Sequence, residues 1–279
     1  MHKTLKIIQY LSLDVVIGSM AIGYFAIRIM DVNPNPWWWI ILPMSVWIIY
    51  SIDHLLDSYK QKNNGKIERH NFFFRNRILL IPIIVILSAL TLVLSFLHLE
   101  AEIIAGGFIL GSLTVVYFII INFAQASLSR EVPKEFIIAL YYVTGIFLAP
   151  TIWSDNSITS TSVFIFIIIG LLAFCEGVMI SYFDFELDLA DGHSSFTIKF
   201  GQIRTRRFLL TVHMIIEISL IMSLFVVSTN FYIICMILLL IMNFILAMLT
   251  MVKAGGYMLK YHKLIGELVF ILPFILWFF

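Results

Sequence analysis

Long apolar stretches recur along the whole chain, each cut off by a short cluster of charged, polar, Gly or Pro residues. A bilayer core is crossed by about 20 apolar residues wound as a helix. Lipid offers the backbone no hydrogen-bond partners, so such stretches span as helices that satisfy themselves. Nine stretches fit, at about 11–30, 37–56, 78–97, 103–123, 135–153, 161–183, 207–228, 231–252 and 262–279. Trp37, Trp38 and Trp39 open the second as an interfacial belt, and Pro34 and Pro36 punctuate the turn before it. The pattern predicts an all-α, polytopic membrane bundle, with one domain over residues 1–279 and neither a low-complexity tract nor a separate soluble domain.

Composition agrees with lipid as the main solvent. The chain is 61% hydrophobic and 13% charged, against roughly half and a quarter in a soluble domain. Its 25 Phe and 12 Met suit lipid-facing and cavity-lining surfaces. A net charge of +1, with no basic amphipathic stripe, gives no reason to expect nucleic acid as a partner. Cys175 and Cys235 both sit in apolar runs, without disulfide or metal spacing. The start, Met1-His-Lys-Thr-Leu-Lys6, superficially resembles a secretory signal. The run behind it is long enough to span and lacks a convincing cleavage site, so it reads as a retained first helix.

The placement of charge is more informative than its sum. Of the 18 Lys and Arg, all but Arg28 fall before the first span or in the alternate loops after spans 2, 4, 6 and 8. The positive-inside rule then puts the N-terminus in the cytoplasm and the C-terminus outside, in a multi-pass protein of the cytoplasmic (inner) membrane. Two loops on that face, 57–77 and 184–206, exceed a simple connection, and long loops in compact folds are more often functional than not.

Each long loop opens on an acidic pair. Asp53 and Asp57 lie at the end of span 2, and Asp184 and Asp188 at the end of span 6. Residues at i and i+4 share a helix face, so each pair points two carboxylates one way. Ionisable groups at the membrane are candidates for function, and hard cations such as Mg²⁺ are commonly held by one or two carboxylates plus substrate phosphates. Lys60, Lys62, Lys66 and Arg69 follow the first pair; Lys199, Arg204, Arg206 and Arg207 follow the second. Metal-holding acids inside a rim of cations suit a diphosphate, whose outer oxygens basic side chains would hold. One such pair alone would read most simply as solvated or locally paired carboxylates. Two pairs on one side, each opening a basic loop, favour a site.

The run DFELDLADGHSSFTIKFG, from Asp184 to Gly201, resembles the D-x-x-x-D-x-x-x-G-x-x-T/S-x-x-x-x-x-G stretch of the UbiA superfamily of intramembrane prenyltransferases. The expected nine helices and inside N-terminus also match that family. The first motif departs from the family's N-D-x-x-D-x-x-x-D followed by R-P. In one register Asp53 replaces Asn, His54 the adjoining Asp, and Gln61 the last Asp, with Asp57 central. In the other, Asp53 and Asp57 are the central and last Asp, and Ile49 and Tyr50 replace Asn-Asp. The first keeps an oxygen where the metal needs one. Arg69-His70 stands where Arg-Pro is expected.

The resemblance implies a bundle around a central cavity and Mg²⁺-dependent transfer of a prenyl group from a prenyl diphosphate to a lipophilic acceptor. Asp53, Asp57, Asp184 and Asp188 would be the catalytic metal ligands. Lys60, Arg69, Lys134, Tyr142 and Lys199 would bind substrate, Lys134 standing where the family often has a basic residue. Tyr50, Tyr141 and Tyr182 are further aromatic candidates to face an allylic cation, although packing or an interface position is the simpler reading of each. Lys134 reads equally well as a positive-inside anchor.

Other polar residues inside spans are Asp14, Glu176, His213, Glu217 and Glu267. An acceptor-side base is conceivable at Glu176 or Glu267, with interhelical hydrogen bonding the simpler reading. His54 and His193 each adjoin a motif, but neither has a third partner for zinc. Two other functions stand beside the transferase: a catalytically altered UbiA-like protein that binds a lipid or partner, and a carboxylate-based cation transporter. The latter fits less well, because the acids cluster at one end rather than at midplane between broken helices.

Overall fold

A computed structural model describes residues 3–61, 66–123, 133–154, 158–192, 194–252 and 261–278. The short helix α1 (Lys3–Tyr10) leads into α2 (Leu13–Met30), α3 (Trp38–Gln61), α4 (Glu68–His98), α5 (Ala101–Phe123), α6 (Lys134–Trp153) and α7 (Ser160–Phe183). Two short helices, α8 (Phe185–Asp191) and α9 (Phe196–Phe200), precede α10 (Gln202–Leu224), α11 (Asn230–Met251) and α12 (His262–Val269). A 3-10 helix, Leu272–Phe278, ends the described chain. No strand occurs among the described residues.

Eight of the helices are long and apolar enough to cross a bilayer: α2 to α7, α10 and α11. Their exteriors are apolar, with Ile78, Val85, Leu97, Ile109 and Ile218 all exposed. Such a surface needs lipid around it. Buried inside are Ile22 and Phe25 of α2, Leu172 and Met179 of α7, Leu209 and Ile216 of α10, and Met236 of α11. Hydroxyls within the spans turn back on their own helices: Thr91, Ser95, Thr114 and Thr250 each donate to the carbonyl one turn earlier, at 2.7–3.0 Å. This is the internal satisfaction that lipid demands.

His213 and Glu217, which share a face of α10, meet Asn243 of α11. The Asn243 amide donates to Glu217 Oε2 at 2.6 Å and to the His213 carbonyl at 3.0 Å. Its oxygen then accepts from His213 Nδ1 at 2.8 Å. These three residues form a polar clamp between two spans, of the kind worth about 1 kcal/mol per bond in a membrane.

The ninth expected span differs. Residues 262–279 do not form one α-helix: α12 stops at Val269 and the 3-10 helix takes over at Leu272. Pro273 is the cause, since it has no N–H to donate and its ring clashes with the carbonyl four residues back. The backbone changes register through Phe270 N–H to Glu267 O, Ile271 N–H to Leu268 O and Phe274 N–H to Ile271 O. The broken segment still runs the length of the bundle. His262 lies 3.4 Å from Asp184 at one end, and Arg28 donates to the Leu276 carbonyl at 3.0 Å near the other. A 3-10 helix rises about 2.0 Å per residue against 1.5 Å for an α-helix, which extends the reach of a short segment.

Candidate functional site

The acidic end of the bundle collects the last turns of α3 and α7, the first turns of α4, α6 and α12, and the short helix α8. Together they wall a cavity of about 200 Å³. Asp53, Asp57, Asp184 and Asp188 all line it, as do Arg69, Lys134 and Lys263. Further from the acidic pairs along the same helices, its lining includes Tyr50, Tyr142, Glu176, Glu267 and Phe270.

Local structure explains the second motif beyond its acids. Helix α7 ends at Phe183, and Asp184 is the residue between α7 and α8. The i, i+4 relation survives this break, because Asp188 N–H still donates to Asp184 O at 2.8 Å. Gly192 stops α8 in the left-handed region, at φ 69°, which only glycine enters without steric cost. Ser195 starts α9, its hydroxyl accepting from Ile198 N–H at 3.4 Å. Gly201 joins α9 to α10 at φ 79°, ψ 152°, a region essentially restricted to glycine. Three of the spaced positions are thus turn chemistry that shapes the connection from α7 to α10.

Side chains from elsewhere hold this loop. Glu135, buried beside Lys134, accepts from Phe196 N–H at 2.8 Å. Ser181 and Thr197 hydroxyls lie 2.7 Å apart. Asp191 accepts from the backbone N–H of Lys66 at 2.9 and 3.0 Å and from that of Ile67 at 3.2 Å. This carboxylate sits at the N-terminal end of α4, where negative charge is favoured, and it ties the second acidic loop to the first. Asp191→Ala is expected to cost about 1–3 kcal/mol, typical of charge-assisted bonds left unmade. It should also loosen the first turn of α4, which carries Arg69. A thermal melt in detergent checks the loss, with Asp191→Asn restoring part of it.

Charge in the site is unevenly paired. Lys263 Nζ lies 2.5 Å from Asp184 Oδ2, and His262 Nε2 is 3.4 Å from Oδ1. Burial alone would raise the Asp184 pKa, but Lys263 and His262 outweigh it and hold the carboxyl below the usual carboxylate range. Arg69 Nε, in contrast, is buried without a hydrogen-bond partner. His54 also lines the cavity: its Nε2 is bonded to Ser12 Oγ at 2.9 Å, and its Nδ1 is 3.8 Å from Asp53. Ser12 itself takes a left-handed backbone at the α1–α2 corner, φ 52°.

No family model and no curated protein matches the sequence. Solved structures share its fold. A UbiA homolog from Archaeoglobus fulgidus bound to DMAPP and Mg²⁺ aligns with a TM-score of 0.65 over 98% of both chains, at 14% identity. A structure of a UbiA homolog from the same organism bound to GPP and Mg²⁺ aligns at 0.61, covering 98% of this chain and 99% of the other, at 13% identity. The fold is that of the UbiA homologs.

Within this UbiA-type bundle most of the residues singled out by sequence converge. The two acidic pairs, Arg69, Lys134, Tyr50 and Tyr142 share the cavity, and Glu176 and Glu267 face it from α7 and α12. Lys199 does not line the cavity; its ammonium lies 5.4 Å from the Phe200 ring centroid. Tyr141 packs 6.1 Å from Tyr117 and Tyr182 5.3 Å from Phe183, both away from the lining. The Lys60 and Gln61 side chains and all of His193 lie outside the described residues. Sequence reasoning missed Glu135 and Asp191, and it counted Lys263 only as an inside charge. The signal available for Glu135 was its place beside Lys134, at the start of a span.

The donor set suits Mg²⁺. The acidic pairs offer only carboxylate oxygens, the preference of a hard cation that shares its shell with water and substrate phosphates. Among the described residues no group of three or more His, Cys, Asp or Glu side chains is placed to hold a metal ion by itself, so water and substrate oxygens would complete the shell.

Proposed function

We propose that this chain is a member of the UbiA superfamily that transfers a prenyl group from a prenyl diphosphate to a lipophilic acceptor, releasing diphosphate at the cytoplasmic face of the membrane. The observation that carries this reading is the meeting of both acidic pairs with Arg69 and Lys134 around one cavity. It does so in the fold of proteins solved with DMAPP or GPP and Mg²⁺.

Asp53, Asp57, Asp184 and Asp188 would hold Mg²⁺, which when bound neutralises the diphosphate as a leaving group. Arg69 and Lys134 bind its outer oxygens, Arg69 through a planar fork and Lys134 as a point charge. The prenyl chain lies along the apolar part of the lining, over Ile138, Ala139 and Phe270. As the allylic C–O bond breaks, positive charge develops beside the rings of Tyr50 and Tyr142, whose faces attract cations. The acceptor attacks that carbon and gives up a proton, for which Glu176 and Glu267 are the carboxylates on the far side of the cavity. The chain's apolar exterior permits a lipid-soluble acceptor to enter from the bilayer.

Incubating the purified protein with GPP and Mg²⁺ tests the assignment. Metal-dependent binding, followed by diphosphate release when an acceptor is supplied, is the expected result. Binding without release under any acceptor would favour a catalytically altered, lipid-binding protein. No metal-dependent binding of any prenyl diphosphate overturns the transferase reading. Cation uptake into vesicles that is lost in Asp57→Ala would instead support transport.

A further inference from the structure

The second acidic pair already has a cation of its own. Asp184 stands at the C-terminal end of α7, where the last carbonyls add negative partial charge to that of the carboxylate. Both of its oxygens are covered, Oδ2 by the Lys263 ammonium at 2.5 Å and Oδ1 by His262 at 3.4 Å. This contact is built by packing rather than by the reach of one long side chain. Gly266 lets α12 press against α7: a Cβ there would come within 3.1 Å of both Glu176 Oε1 and Met179 Cε. One turn earlier on α12, the His262 ring stacks on Phe183 with centroids 4.7 Å apart and planes 27° apart. Phe183 is the residue before Asp184, so the start of α12 is clamped beside the carboxylate. His262 and Asp184 are both buried, at 3% and 6% exposure.

We propose, as a revision of the four-ligand reading above, that Lys263 is the resident cation of Asp184, so that the site takes one divalent cation rather than one per acidic pair. This rests on the prenyl diphosphate reading above. A divalent ion ligated by Asp184 Oδ2 at its usual 2.0–2.1 Å would lie no more than about 4.6 Å from the Lys263 nitrogen. Three positive charges would then meet in a buried corner, and the lysine would have to leave. The ammonium supplies instead what the second ion would: a compact positive charge with three donors. Asp184 takes its position, and the cavity it lines is where diphosphate oxygens would accept from it. Its test does not depend on turnover.

Mn²⁺ is counted by electron paramagnetic resonance on the full chain in detergent with saturating GPP. The expected result is one bound Mn²⁺ per native chain, one for Lys263→Arg, and two for Lys263→Met. Size-exclusion profiles and melts verify that each variant is folded, and Lys263→Gln carries the same test should the methionine fail to fold. Two Mn²⁺ on the native chain overturn the proposal. A single Mn²⁺ on both the native chain and the folded neutral variants also overturns it, since Lys263 then excludes nothing. No bound Mn²⁺ on any of the proteins, with GPP present, overturns the prenyl diphosphate reading itself and the inference with it.

Discussion

Asp188→Ala is expected to lower Mg²⁺-dependent affinity for GPP by about 10²–10³-fold. Asp188 is buried at 8% exposure on α8 and faces the cavity shared by both acidic pairs. Truncating one member of a desolvated charge cluster costs about 2–5 kcal/mol, mostly from charge left uncompensated. Here that charge would be the bound cation's own. Glu186, two residues away on the same short helix and exposed, supplies the control. Glu186→Ala removes an equal charge from the same loop and should leave affinity within about twofold, as surface substitutions usually do. Isothermal titration with GPP at fixed Mg²⁺ separates the two. Equal losses in both variants would mean that bulk charge in the loop matters and not the position of Asp188.

Glu135→Ala is expected to produce the largest loss of stability among the site variants. Its carboxylate holds Phe196 N–H at 2.8 Å in a buried position, linking α6 to the start of α9 across 61 residues of sequence. Alanine leaves that N–H without a partner, at about 1–3 kcal/mol. It also opens a gap against Gly177, which a Cβ would bring within 3.5 Å of the Glu135 side chain. For a chain of this size each kcal/mol lowers the melting temperature by about 2–4 °C. Glu135→Gln keeps the accepting oxygen and should recover most of the loss in a detergent melt. A glutamine as damaging as the alanine would show that the negative charge, and not the hydrogen bond to Phe196, is what the fold requires.

Hydropathy reported bilayer thickness well and helix ends poorly. The apolar run predicted a start near 78 for the third span, yet α4 begins at Glu68. Residues 68–77 carry Glu68, Arg69, Arg75 and Arg77, so they read as loop although they continue the same helix outward. The same holds for α10, which begins at Gln202 while its apolar part begins near 207. Asp57 sits within α3 for a related reason, because that helix runs on to Gln61. In the site, Asp184 and Asp188 were legible because carboxylates at one-turn spacing are rare in so apolar a chain. Lys263 was not, because its partner lies on another helix and only the approach permitted by Gly266 brings them together. Asp191 was hidden differently. It acts on backbone N–H groups, and no side-chain pattern marks those.

The 3-10 segment has a consequence for how its sequence is free to vary. With three residues per turn, side chains at i and i+3 eclipse one another. Pro273 and Leu276 fall on one ridge, and both are buried. Ile275 and Phe278 fall on another, and both are exposed. Helices elsewhere in the bundle spread their inward positions over a 3.6-residue cycle, so a shift of one residue turns a side chain by about 100°. Here the cycle is three, and the tolerance for substitution should follow a three-residue rhythm, in which any apolar residue serves on the outer ridge. Drift at 273 or 276 would meet the packed interior and, at 276, the carbonyl that anchors Arg28.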